Sequence, residues 1–130
     1  MISAPRWLTL DEVLAIHQLS IERFGGSHGL RDAELLESAV ARAEHRAAYD
    51  ENVAIFDLAA AFAFGIARNH PFVDGNKRTA IAAAVTFPGL NGWSFRGDEA
   101  EVVVATVSLA SGEWDEATYG FWLKQNCVAI

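Results

Sequence analysis

Residues 58–85, LAAAFAFGIARNHPFVDGNKRTAIAAAV, hold two apolar, alanine-rich runs on either side of the polar segment His70-Pro71-Phe72-Val73-Asp74-Gly75-Asn76-Lys77-Arg78-Thr79. Proline disfavours a helical residue before it, so the first helix is expected to stop at Asn69 or His70, with His70 extended and at a corner. Gly75 permits a tight turn. The run from Thr79 to Val85 then reads as a helix whose start leaves the amides of Gly75, Asn76 and Lys77 unpaired. Open amides at a helix start attract anions. An imidazole, a carboxylate, an amide, an ammonium and a guanidinium in one short segment make a set suited to handling phosphate.

With 130 residues the chain reads as one domain, 1–130, able to bury roughly two-thirds of the surface its unfolded form exposes. Hydrophobic content of 52% beside 21% charged residues is globular. The apolar stretch from Leu58 to Ala67 is half the roughly 20 residues that a membrane span needs, so no membrane helix is expected. Asp11 and Glu12 interrupt the apolar residues after Arg6, which is not a signal-peptide pattern. One cysteine, Cys127, has no partner for a disulfide and suits a reducing cytoplasm. A net charge of −7 argues against direct nucleic-acid binding, because such affinity comes from cations neutralising phosphates. From Gly97 to Leu123 six acidic residues stand without a lysine or arginine, whereas Arg68, Lys77 and Arg78 lie close to His70 with only Asp74 opposing them. A small basic island in an acidic protein fits one polyphosphate better than a nucleic-acid track.

Caps and periodicity make the chain all-α, a compact bundle of about six helices. Thr9 with Glu12 forms a capping box, and Leu10, Val13, Leu14, His17 and Ile21 make the inner stripe of the first helix. His17 on such a stripe reads as a satisfied core histidine. Gly25, Gly26 and Gly29 break the pattern before Asp32 caps a second helix. His28 and His45 have no ligand-type neighbours and read as surface residues. Asn52 is expected to cap the third helix, Val53 to Asn69. Alanines at 59, 60, 61, 63 and 67 face those at 80, 82, 83 and 84, so the two helices flanking the polar segment approach closely. Pro88 is expected to bend or end the helix near Phe87. Asn91-Gly92 marks a turn, Gly92 to Arg96 a short extended piece, Asp98 caps a helix to about Leu109, and Asp115 begins a last helix carrying Tyr119, Trp122 and Leu123.

The polar loop resembles the motif of the Fic/Doc family, His-Pro-Phe-x-(Asp/Glu)-Gly-Asn-(Gly/Lys)-Arg, at every fixed position. Arg23-Phe24-Gly25-Gly26 and Gly29-Leu30-Arg31-Asp32 are similar to the N-terminal segment of the Doc, or death-on-curing, branch. The resemblance implies a Fic-like helical fold and a toxin paired with a Phd-like antitoxin. Two positions depart from the adenylyl-transferring pattern: Lys77 replaces its second glycine and Ile81 its second arginine. In the Doc branch these changes go with a nucleotide bound in reverse, its terminal phosphoryl group facing the histidine. The implied reaction is ATP-dependent phosphorylation of a Ser/Thr hydroxyl on a translation factor, elongation factor Tu in the best-known members. Transfer of AMP, or a helical module that only binds a nucleotide or an antitoxin, are the competing readings.

Carried onto this chain, the resemblance makes His70 the general base, a task suited to imidazole, and Asp74 the ligand of Mg2+ or, alternatively, a helix cap. Asn76 stabilises phosphate charge together with Gly75 and neighbouring amides, or caps the helix. Lys77 and Arg78 grip the phosphates as a mobile charge and a planar fork. Arg68 reaches the same phosphates or pairs with a nearby carboxylate, and Phe72 anchors the loop in the core. The inhibitory Ser/Thr-x-x-x-Glu-Gly/Asn pattern of many Fic proteins is missing: the one Glu-Asn pair, Glu51-Asn52, is preceded by Ala47.

Overall fold

The computed structural model describes residues 4–130. Six helices lie among them: α1 (Leu10–Phe24), α2 (Ala33–Tyr49), α3 (Ile55–Asn69), α4 (Asn76–Leu90), α5 (Glu99–Ser111) and α6 (Glu116–Gln125), with strands β1 (Trp93–Phe95) and β2 (Cys127–Ala129). α3 is apolar nearly all round, and such a helix has to be enclosed. Phe56, Leu58, Phe62 and Ile66 are buried along it, and Ala59, Ala60, Ala61, Ala63 and Ala67 are sealed from solvent. α2, α4, α5 and α6 all pack on α3, and the α3–α4 pairing is the most extensive. Ala80, Ala83 and Ala84 face that seam as expected. Ala82 instead faces outward, between α4 and α1.

The caps follow their chemistry. Thr9 Oγ1 accepts from Glu12 N (3.2 Å) and Glu12 Oε1 accepts from Thr9 N (3.0 Å), and these bonds together with Arg6 hold the Glu12 carboxyl below its ordinary range. Asp32, Asp98 and Asp115 accept from the amides of Leu35, Ala100 and Thr118. Tyr119 is buried with its hydroxyl 2.9 Å from Thr106 Oγ1, and burial pushes its pKa up to about 12.

Three boundaries differ from the sequence expectation. α3 begins at Ile55 behind Ala54, not at Val53 behind Asn52. Asp57 Oδ2 reaches back to Ala54 N (3.0 Å), and Asn52 does not cap the helix. α4 begins at Asn76, one turn before Thr79, and continues through Pro88 to Leu90. Pro88 lies in the last turn, and Asn91 closes the helix end beyond it: Asn91 Nδ2 donates to Phe87 O (2.9 Å) and Asn91 N to Pro88 O (2.9 Å). The extended piece expected after Gly92 is present as a strand, paired antiparallel with β2 (Trp93 opposite Ala129). β2 has no sequence signal, being too short to alternate.

No described helix is long and apolar enough to cross a membrane. At the α2–α3 crossing a Cβ on Gly65 would lie 2.7 Å from Ala39 Cβ and 2.8 Å from Ala39 Cα. Gly65→Ala gains about 1 kcal/mol of helix propensity but overpacks a rigid contact at a cost of about 1–3 kcal/mol. A net loss of stability is expected, read as a lower denaturant midpoint.

Candidate active site

The loop between α3 and α4 leaves the core at His70 and returns to it two residues later. Pro71 does exclude the right-handed helix at His70, but the residue is left-handed (φ 50°, ψ 60°) and not extended. It is the single non-glycine residue with positive φ among those described, a conformation costing of order 1–3 kcal/mol. Arg31 holds it there. Its Nε donates to His70 O (2.7 Å) and its Nη2 to Asn69 O (2.8 Å), capping the end of α3 with the cation that a helix C-terminus favours. The amides of Arg31 and Asp32 both donate to Pro71 O (2.7 and 2.9 Å), so the same segment grips the next peptide as well.

Phe72 is 1% exposed. Its ring stacks on His17, centroids 3.8 Å apart and planes 5° from parallel. His17 is itself buried, and its Nε2 donates to Asp74 O (2.8 Å); accepting that bond fixes the proton on Nε2 when the ring is neutral. His17 is therefore the satisfied core histidine expected, and it also aims the loop. The side chain of Asn76 closes the turn from within: Oδ1 accepts from Phe72 N and Nδ2 donates to Phe72 O, both at 2.9 Å. With its side chain committed to the loop, Asn76 offers its backbone amide to a ligand.

Asp74 is bound on both carboxylate oxygens, Oδ2 by Ser27 N (3.1 Å) and Oδ1 by Gly75 N (2.8 Å). These two amides, with lesser help from Arg78 and His17, hold its carboxyl below the ordinary range. Asp74 is not the cap of α4; that position belongs to Gly75, left-handed at φ 75°. The Gly75 amide is consequently spent on Asp74 and is not available to an anion. Thr79 N makes the first intrahelical bond, to Gly75 O (2.9 Å), which leaves the amides of Asn76, Lys77 and Arg78 open among the described residues. The anion-binding turn is thus shifted by one residue from the sequence expectation.

An open cavity of about 460 Å³ is lined by His70, Val73, Asp74, Gly75, Asn76, Lys77, Arg78, Ile81 and Val103. Six of the seven expected site residues meet there. Arg68 does not. It lies on the face of α3 shared with Phe64, four residues earlier, and its Cζ sits 5.8 Å from that ring, pointing toward the end of α5 at Gly112. No carboxylate pairs with it among the described residues. Arg78 rests with its Cζ 5.0 Å from the Phe24 centroid, and Nη1 donates weakly to Gly25 O (3.4 Å).

Sequence reasoning did not foresee Arg31 or the 26–29 segment as supports of this loop. The signal was Gly26, at φ 115°, where a Cβ would fall 2.7 Å from Asp74 Oδ2. Only glycine lets that backbone approach the carboxylate. Val73 N likewise donates to Gly29 O (3.0 Å), beside a single bridge between Leu30 and Phe72.

The Fic/DOC family profile matches residues 7–88, from α1 through the loop into α4. The chain belongs to the Fic/DOC family. It is 36% identical over 108 residues to the Protein kinase doc of Escherichia phage P1, covering 83% of this chain and 85% of that protein. It is 42% identical over 93 residues to the Toxin Doc of Mycolicibacterium smegmatis, covering 71% and 69%.

His17→Phe retains an aromatic ring against Phe72 but strips Asp74 O of its donor. An unpaired carbonyl there costs about 1–3 kcal/mol, and urea unfolding should show the loss. The Asp74 bonds carry a pH dependence of known sign. Because the folded carboxyl titrates below its unfolded value of about 3.9, its contribution is complete above that pH and disappears as pH falls through the depressed folded value. Thermal unfolding of the protein and of Asp74→Asn between pH 7 and pH 3 should show a stability gap that closes only at the acid end.

Proposed function

We propose that this chain is a toxin that transfers the γ-phosphoryl group of ATP to a Ser/Thr hydroxyl of a translation factor, elongation factor Tu being the target that the resemblance implies. The observation that supports this best is the first turn of α4, where three open amides, Lys77 and Arg78 share one cavity with the exposed His70. Phosphoryl transfer asks chiefly for alignment and neutralisation of charge, and this turn supplies both. The relatives' names, Protein kinase doc and Toxin Doc, point the same way.

In this reading the target hydroxyl lies beside His70. Its oxygen bonds to the γ-phosphorus, the bond from that phosphorus to the β,γ-bridging oxygen breaks, and ADP departs with the electron pair. His70 takes the hydroxyl proton. The amides of Asn76 and Lys77 hold phosphate oxygens, Lys77 follows the moving charge, and Arg78 exchanges its long contact with Gly25 O for a two-bond grip on phosphate. Gly75 contributes by its turn, not by its amide. Asp74 is the residue suited to Mg2+: it is exposed, kept ionised by its amide partners, and stands alone. The described residues contain no cluster of three or more potential ligands. One carboxylate completed by phosphate oxygens and water is how magnesium is commonly bound, and the ion would neutralise charge on those oxygens.

Lys77 and Ile81 favour phosphoryl over adenylyl transfer. Lys77 fills the room a glycine would leave at the helix start, and Ile81 puts an aliphatic chain where a second guanidinium would hold a phosphate tail. The resemblance to the Doc branch and the relative named Toxin Doc assign restraint to a separate Phd-like antitoxin. We place the activity in the cytoplasm, where ATP and translation factors are found, without direct contact to nucleic acid or membrane.

ATP labelled separately on its α- and γ-phosphates tests the reaction on purified elongation factor Tu. Only the γ label should transfer, and His70→Ala should lower the rate at least about a hundredfold, the scale of lost general-base catalysis. Transfer of the α label would make the protein an AMP transferase. Toxicity undiminished in His70→Ala would leave a binding module.

A further inference from the structure

Arg68 lies outside the phosphate cavity, against a ring that it shares. Arg42 of α2 sits over the same Phe64 side chain, its Cζ 4.5 Å from the centroid against 5.8 Å for Arg68. One aromatic residue of α3 therefore carries two guanidinium groups from two helices. Arg42 also donates from Nε to Glu116 Oε1 (2.7 Å), and Arg46 from Nη1 to Glu116 Oε2 (3.2 Å). These groups border a cavity of about 370 Å³ with His45 and Tyr49 in its wall, where Glu116 is the one carboxylate among the described residues. The Glu116 side chain is 14% exposed and both its oxygens are taken. Three guanidinium groups and the exposed His45 thus stand against a single satisfied carboxylate, on a chain whose net charge is −7. Tyr49, 92% exposed, lies at the far end.

We infer that this cationic strip docks an acidic segment of the protein substrate and leads it toward His70. The inference rests on the reading that a protein hydroxyl is the acceptor. Arg68 precedes His70 by two residues at the end of α3. Phe64 joins it to Arg42, and α2 then carries the surface about 10 Å further to Tyr49 at 1.5 Å per residue. An extended segment advances about 3.3 Å per residue, so up to about six residues cover the strip. Its groups suit carboxylates. Phe64 and Glu116 hold Arg42, and Glu116 holds Arg46, before any partner arrives, which lowers the ordering cost of binding. Each guanidinium keeps donors beyond those given to Glu116 and can offer a carboxylate paired hydrogen bonds. Arg and Tyr are also the side chains that most often carry the binding energy of protein interfaces. A polynucleotide fits less well, because the strip is short and the acidic chain around it opposes a long polyanion.

Fluorescence anisotropy of a labelled hexaglutamate peptide reads the strip apart from the reaction, and the KM for elongation factor Tu reads it within the reaction. The peptide should bind the full chain at low salt and weaken as salt screens the charges. Arg68→Glu combined with His45→Glu should lower that affinity at least about tenfold, and Tyr49→Ala about threefold. The melting temperature should stay close to that of the unaltered protein, since all three side chains are exposed and none is paired with a carboxylate. With elongation factor Tu the charge-reversed variant should raise KM about tenfold and leave kcat and the KM for ATP unchanged; a purely structural role would lower kcat as well. Peptide binding that is absent, or that neither salt nor the variants alter, overturns the inference. An RNA oligonucleotide that displaces the peptide where elongation factor Tu does not would assign the strip to nucleic acid and overturn it too. If γ-phosphoryl transfer proceeds with an unchanged KM in the variant, the inference fails while the proposed reaction stands. If no γ label is transferred, the proposed reaction falls, and peptide binding still decides whether the strip is a site for acidic segments.

Discussion

Between two alanine-rich helices the backbone of residues 70–75 has to leave the core, turn and re-enter it, and the burial of Phe72 forces each of those steps. Sinking that ring contributes about 1.5–3 kcal/mol, enough to offset the left-handed conformation that His70 adopts to let it happen. The ring stacks on His17, the His17 nitrogen then meets Asp74 O, and Asn76 closes the same turn from the other side. What faces outward is decided by what has been tied inward. The imidazole of His70, the carboxylate of Asp74 and the first amides of α4 are exposed because their neighbours are not.

The support comes from a stretch with little regular structure of its own. Residues 25–32 supply Ser27 N to Asp74, Gly29 O to Val73, two amides to Pro71 and the Arg31 side chain to the end of α3. A cavity that opens to solvent is thus backed by hydrogen bonds to a chain segment distant in sequence. The rigid alanine seam of α3 and α4 carries the loop, and the glycine-rich stretch sets its angle.

The sequence revealed the helices and most of the site because those depend on local rules. Periodicity marked α1 and α2, caps at Thr9, Asp32, Asp98 and Asp115 began four helices where expected, and the ten residues around Gly75 stood out by composition as the segment that lines the candidate site. What it could not show were choices settled across the fold. Arg68 looked like a phosphate ligand on proximity in the chain, but the turn of α3 carries it onto Phe64. Arg31 looked like an ordinary loop residue, and only the folded chain brings it to His70. The open amides moved by one residue because Asp74 claimed that of Gly75, a side-chain bond that spacing alone does not reveal. β2 pairs with β1 across more than thirty residues and has no pattern within its three.

α6 supplies Tyr119 and Leu123 to the core and packs along α3, with Gly120 set against the carbonyl of Phe56. Residues 70–78 are all encoded well before α6, yet α3, the helix on which α4 and the loop are mounted, stays uncovered on one side until residue 123 has been made. During synthesis the motif therefore emerges from the ribosome well ahead of the packing that holds it in shape. A chain cut short between residue 82 and α6 would carry every side chain of the loop and still lack part of the scaffold that aims them.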